Sequence, residues 1–306
     1  MRILHLINPY EGGNKNEQEI VLQSLVHACS QSCPSIEVTI AAIVHKEDSP
    51  KMPDAIQNLH YLERFVDQVA NLSIPSTKPL LRDIFNFLNS YNADYIVYTN
   101  MDIGVMPFFY DSIKSIIEKG MDAFIINRRR VAPQAISNPS LHNYYSDLGA
   151  MHNGYDCFVF KKEIAKMLDL GDVCVGVPHV GNSLAFNLMC HAKSFKLYTS
   201  LHLTFHIGYE LVRDWGDADI RNHNKSEYLK IIRRQRSKLK LANMPGSGLA
   251  FFKRHFKWLM NPTIHYPTFA LTDFKQWSEQ RYEQNKKAIQ SFNYFEWLQE
   301  KVRLDN

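Results

Sequence analysis

A chain of 306 residues, 45% of them hydrophobic, is long enough for a large core: one big α/β domain, or one domain with an extension. Charged residues make up 22% and the formal net charge is +4, an ordinary balance for a soluble enzyme and too mild to require a nucleic-acid partner. No apolar run approaches the ~20 residues needed to span a bilayer. The five cysteines (Cys29, Cys33, Cys157, Cys174, Cys190) contain no CxxC pair, which points to free thiols in a reducing cytoplasm.

The chain opens on a short strand, residues 2–7, ending in the turn Asn8-Pro9; it is too short and wrongly patterned for a signal peptide. Residues 17–30 read as a helix with Val21, Leu25 and Ala28 on one face, and 36–44 as a β-branched strand. A polar stretch from Lys46 to Pro53 follows, then helical spacing through Leu59, Leu62 and Val66. Residues 78–90 read as a helix, with Leu81, Ile84, Phe85 and Leu88 inward and Pro79 in its first turn. Residues 94–99 are an apolar strand, and a helix near 109–119 ends at Gly120. The apolar run 122–127 is closed by Arg128-Arg129-Arg130.

Residues 131–153 carry little periodicity and read as a long loop. It is either a flap that closes His142, Tyr144 and Tyr145 over a ligand, or a static loop packed by those tyrosines. Residues 155–160 return to strand character, 181–192 read as a buried helix, and 195–206 as a strand pair or one bent strand. Past residue 216 the pattern changes. A helix over 217–241 carries seven basic residues between Lys225 and Lys240. The segment 245–270 is rich in Gly, Pro and aromatics, and a last helix spans 278–302. This alternation predicts an α/β domain over 1–216, built on a mainly parallel sheet, with a helical extension over 217–306.

The stretch Thr99-Asn100-Met101-Asp102-Ile103 follows a core strand, so it falls where open α/β sheets bind ligands. A spacing of two puts Asn100 and Asp102 on one side of an extended backbone. An amide and a carboxylate there could hold a hard divalent cation and, through it, a diphosphate; Asn and Asp also favour a plain strand-to-loop turn. In His202-Leu203-Thr204-Phe205-His206-Ile207-Gly208, strand alternation gives His202, Thr204 and His206 a common face. A histidine at such a strand end either completes a metal site or is a hydrogen-bonded structural residue.

Together these segments resemble the nucleotide-diphosphate-sugar glycosyltransferases of the GT-A fold. In those proteins an Asp-x-Asp motif after a core strand bridges a metal to the donor diphosphate. Here the motif reads Asn100-Met101-Asp102, without its first carboxylate. His206-Ile207-Gly208 and Trp215 are similar to the late His-x-Gly segment that supplies a further metal ligand in the glycogenin-like and bacterial galactosyltransferase branch. The order of 98–103, 122–129, 154–160 and 201–208 also resembles a bacterial group of glycosyltransferase-like proteins.

The resemblance implies a GT-A-like, Rossmann-like fold and a Mn²⁺ or Mg²⁺ ion held by Asn100, Asp102 and His206. It implies a donor site drawing on Asn8, Lys78, Arg82, Asn100, Asp102 and Arg128. Asp156 would act as general base toward an acceptor hydroxyl or bind the transferred sugar. His179 and Asn182 would line the acceptor side, with Arg129 beside Arg128. The acceptor itself is open: a glycan, a lipid-linked molecule or a small molecule. Two alternatives stand beside this enzyme. One is a non-catalytic GT-A-like protein that binds a nucleotide sugar or glycan. The other is a nucleotidyltransferase, for which Glu11-Gly12-Gly13-Asn14-Lys15-Asn16 is poor in cations. Basic residues interleaved with aromatics over 251–260 suit peripheral contact with anionic head groups at the inner membrane face.

Overall fold

The apolar runs read from the sequence become the strands of one large sheet. The computed structural model describes residues 1–11, 14–48, 50–56, 58–133, 140–152, 154–208 and 218–260. In chain order the elements are β1 (Arg2–Ile7), α1 (Lys15–Gln31), β2 (Glu37–His45), β3 (Asn58–Leu62), α2 (Leu81–Asn86), β4 (Tyr95–Thr99), β5 (Gly104–Val105), α3 (Phe109–Glu118), β6 (Ala123–Ile126), β7 (Arg129–Val131), α4 (Leu141–Tyr145), β8 (Ala150–Met151), β9 (Cys157–Lys161), α5 (Lys162–Ala165), α6 (Val180–His191), β10 (Phe195–Tyr198), β11 (Thr204–Ile207), α7 (Ala218–Gln235) and α8 (Phe251–Met260). They fall into two compact units, Met1–Pro245 and Gly246–Asn306.

The first unit holds a seven-stranded sheet in the order β10-β6-β9-β4-β1-β2-β3. All neighbours are parallel except β9, which runs antiparallel between β4 and β6. This is the mixed, mainly parallel, helix-flanked α/β class expected from the sequence. From β1 the chain builds outward through β2 and β3, then crosses back to β4 on the other side of β1. The strand order therefore reverses between β1 and β4. In doubly wound sheets the ligand crevice opens there, outside the carboxyl ends of the strands. Every residue of β4 is buried, as helix cover on both faces requires.

Local chemistry fixes the flanking helices. Asn14 caps α1, its side chain accepting from the amides of Asn16 and Glu17. Ile20, Val21, Leu25 and Ala28 then point inward, where Val21, Leu25 and Ala28 join the core with Ile3, Val97, Phe109 and Ile113. A smaller sheet, β5-β11-β7-β8, stands beside the large one.

Several elements depart from the sequence reading. Residues 58–62 are a strand, because pairing with β2 from Ala41↔Asn58 to His45↔Leu62 overrides the helical spacing of Leu59 and Leu62. The predicted helix over 78–90 shortens to α2 and a 3₁₀ turn, Phe87–Ser90, since Pro79 and Leu80 are occupied by bridges to Phe65 and Cys174. Residues 195–206 divide between two sheets. Within 140–152 the chain is ordered as α4 and β8; Tyr144 is buried, and its ring and that of Tyr145 pack on Phe205. Those rings support the packed-loop reading there; residues 134–139 and 153 lie outside the described residues, as do the Gly12-Gly13 pair, Trp215 and the expected helix over 278–302. Helix α7 packs on α6 inside the first unit, where the buried Asn224 side chain accepts from the Cys174 amide and donates to the Cys174 and Pro178 carbonyls. In the second unit α8 is described.

Candidate functional site

β4 delivers Thr99 to the carboxyl edge, and the next four residues alternate as the spacing predicts. Met101 and Ile103 turn into the core, while Asn100 and Asp102 stay partly open. A buried polar link lies beneath them. His5 of β1 hydrogen-bonds Thr99 Oγ1 through Nε2 and the Tyr110 hydroxyl through Nδ1, both at 2.9 Å. Burial lowers the His5 imidazole to about 3, so it is neutral near pH 7 and locks β1, β4 and α3 together below the crevice.

The small sheet brings the histidine segment to the same place. Two residues after Asp102 the chain becomes β5, which pairs antiparallel with β11 as Gly104↔Phe205 and Val105↔Thr204. β11 also lies parallel to β7, with His206 opposite Arg130. This register returns His206 to the start of β5. Its Nε2 lies 3.3 Å from Asp102 Oδ2. Gly104 is required by this pairing, since a side chain there would overlap the Phe205 ring.

Asp156, just before β9, completes the group. It is 4% exposed and paired with the Arg128 guanidinium, while its Oδ2 has no hydrogen-bond partner among the described residues. Burial raises the Asp156 carboxyl above its usual range, opposed by Arg128; Asp102 raises it further and His206 lowers it. The fields of Arg128, Asp102 and His206 all reach Asp156, which ties that carboxylate to the Asp102–His206 pair. α6 closes its flank: a side chain on Gly181 would approach the Tyr155 carbonyl to 2.8 Å. His179, at the N-cap of α6, has a left-handed φ of 78°, stacks on Tyr228 and keeps Nδ1 without a hydrogen bond among the described residues.

The other residues singled out from sequence are spread around this centre. Asn8 is buried at the end of β1 and donates to the Ile43 carbonyl at 2.5 Å. Lys78 precedes α2, its ammonium facing Gly176. Arg82 is engaged by Asp172 at 2.6 Å, so its charge is already partly neutralised. Arg129 donates to the carbonyls of Leu148 and Gly149.

Two features escaped the sequence reading. His45, the last residue of β2, is 5% exposed, packs against the Phe65 ring at a tilt of 54° and leaves Nε2 without a hydrogen-bond partner among the described residues. A cavity of about 470 Å³ lies between α1 and the segment after β2, lined by Tyr10, Lys15, Gln18, Leu22, Lys51 and Met52 among others; the Asp102 group does not line it. A histidine ending a strand on the carboxyl edge is the signal that could have found the first. The second depends on loop packing and has no local signature.

Among the described residues, no three His, Cys, Asp or Glu side chains converge as a metal cluster. Asp102 and His206 supply a carboxylate oxygen and an imidazole nitrogen 3.3 Å apart, close enough for one ion to touch both. A third donor would be an amide such as Asn100 or an oxygen of the ligand.

No protein-family profile matches the chain, and no curated protein matches its sequence. Among solved structures it is similar to Staphylococcus aureus TarS 1-349 in complex with UDP-GlcNAc, with 12% identity over 92% of this chain and 78% of that one, at a TM-score of 0.46. S. aureus TarS is matched at 9% identity over 84% and 44%, with a TM-score of 0.48. TarS 1-349 in complex with UDP is matched at 10% identity over 87% and 80%, with a TM-score of 0.41. Likeness at this level leaves function to be judged from the chain's own residues.

Proposed function

We propose that this protein is a glycosyltransferase that moves a sugar from a nucleotide-diphosphate donor to an acceptor hydroxyl, assisted by a divalent metal. One observation carries the reading. A carboxylate and an imidazole, Asp102 Oδ2 and His206 Nε2, meet at 3.3 Å beside the point where the strand order reverses. Asp102, His206 and the Asn100 amide suit Mn²⁺ or Mg²⁺, which when bound would neutralise charge developing on the leaving diphosphate. Asn8, which follows β1, and the cation of Lys78 suit donor binding, while Arg82 is less available because Asp172 holds it.

In this reading Arg128 has two functions. It keeps the Asp156 carboxylate charged in a buried place, and it adds positive potential where the diphosphate would sit. Asp156 suits proton abstraction from the acceptor, because burial makes it more basic than an ordinary carboxylate. His179, Asn182 and α6 then border the acceptor side.

A second reading, a non-catalytic protein that binds a nucleotide sugar or glycan, is favoured by Asn100 in place of a carboxylate. The test is a thermal-shift panel of UDP, UDP-GlcNAc and other nucleotide sugars, with and without Mn²⁺, on wild type and Asp102→Ala. A ligand of the native state raises the melting temperature, and the metal should enhance that rise in wild type alone. Equal metal-dependent shifts in both proteins reject the site. Binding with no sugar released or transferred, across a panel of acceptors, favours the second reading.

A further inference from the structure

We infer that α8 is a docking surface for an anionic lipid bilayer, a function separate from the donor site and independent of it. Its sequence, Phe-Phe-Lys-Arg-His-Phe-Lys-Trp-Leu-Met over 251–260, is amphipathic at the helical period of 100° per residue. Phe252 and Phe256 are one turn apart on one flank and stand 84% and 62% exposed; Phe251, 59% exposed, meets Phe252 ring to ring at 5.4 Å. Lys253 and Lys257, again one turn apart, are exposed on the adjoining flank. Arg254 is engaged differently: its guanidinium lies over the rings of Phe251 and Trp258 and donates to the Ser247 carbonyl. The exposed surface of α8 is therefore a row of phenylalanine rings edged by the Lys253 and Lys257 side chains.

Three exposed phenylalanines on ten residues are unfavourable in water unless something covers them. Charge identifies the cover. From Gly246 to Met260 the charged residues are Lys253, Arg254 and Lys257, with no Asp or Glu among them. A helix carrying only positive charge repels basic partners and is attracted to an extended sheet of negative charge. Aromatic rings that enter the head-group boundary, with lysines reaching phosphate, match an interfacial helix lying in the membrane plane. The helix is about 15 Å long at 1.5 Å per residue, and none of the described helices is long and apolar enough to cross a bilayer, so the contact is peripheral.

The experiment uses the full chain and extruded vesicles of phosphatidylcholine alone or with phosphatidylglycerol, read by co-sedimentation. The expected result is sedimentation with the anionic vesicles only, weakening as salt is raised. Lys253→Glu with Lys257→Glu should reduce vesicle affinity by about thirtyfold or more, from roughly fivefold per lysine. Phe252→Ser with Phe256→Ser should reduce it by at least about tenfold through lost apolar burial. All four side chains are exposed, so the melting temperatures of both variants should match wild type. Three results overturn the inference: no binding to anionic vesicles, equal binding to phosphatidylcholine alone, or vesicle binding that neither pair of substitutions weakens. A parallel arm with single-stranded poly(U) separates the other polyanion: RNA binding at lower concentration than vesicle binding, lost in both variants, would also overturn it.

Discussion

Removing Arg128 is the sharpest physical test of the buried cluster. The Asp156 carboxylate is 4% exposed and Arg128 is its ion-pair partner. Arg128→Leu keeps bulk at that position and leaves the carboxylate buried without a counter-charge. Breaking a buried pair this way costs about 3–5 kcal/mol while the remaining group stays ionised. The variant can avoid that cost by protonating Asp156, and this gives the prediction a pH signature. The folded-state pKa of Asp156 is raised in wild type and should be raised further in the variant, since Arg128 is the largest opposing influence. A carboxyl with a raised folded pKa contributes stability below its unfolded pKa and loses it as pH rises through the folded value. The destabilisation by Arg128→Leu should therefore be small in acid, about 1 kcal/mol for a lost hydrogen bond, and grow to about 3–5 kcal/mol in alkali. For a unit of this size that is a fall in Tm of roughly 6–20 °C at the alkaline end. The assay is thermal unfolding of both proteins across a pH series, with Arg128→Leu/Asp156→Asn as the third corner. A Tm difference that stays constant with pH, or that persists in the double variant, refutes the reasoning.

Four further outcomes are expected. If Asp156 is the general base, turnover in wild type should fall as pH drops through its raised pKa, and Asp156→Asn should lose most turnover while donor affinity stays nearly constant; parallel loss of both counts against the role. Gly104→Ala should cost about 1–3 kcal/mol by overpacking against Phe205 and should weaken metal-dependent nucleotide binding through displacement of His206; urea unfolding and calorimetry read the two effects. Asn224→Ala should cost about 3 kcal/mol, because the Cys174 amide and the carbonyls of Cys174 and Pro178 lose a buried partner, with unfolding midpoints as the measure. Tyr110→Phe should cost about 1–3 kcal/mol by leaving His5 Nδ1 without its partner; a variant as stable as wild type in denaturant would mean that this buried bond contributes nothing.

The two halves of the site were legible in the sequence to different degrees. Asn100 and Asp102 could be placed because the short run before them, Tyr95-Ile96-Val97-Tyr98, has the apolar β-branched and aromatic character of a buried strand. The alternation of Asn100, Met101, Asp102 and Ile103 then follows from backbone geometry. The same reasoning yielded β1, β2, β6 and β9 and the α/β class, since local periodicity and burial of apolar residues act over a few neighbours. For His206 the residues alone gave a strand, and its pairing with Asp102 came only from the family resemblance. Its approach to Asp102 depends on β5, a strand of two residues with no periodicity of its own, and on Gly104 leaving room for Phe205. Residues 58–62 show the converse: their helical spacing lost to hydrogen bonds offered by the open edge of β2. Arg128 and Asp156 were each visible as charged residues at strand ends, but their pairing across 28 residues, and the burial that makes the carboxylate basic, exist only once β6 and β9 lie side by side. The sequence alone determined which segments are core strands and which polar side chains stand at their ends, because side-chain type and spacing are local. The tertiary structure decided which of those segments meet, because strand order and register are set by long-range pairing and packing.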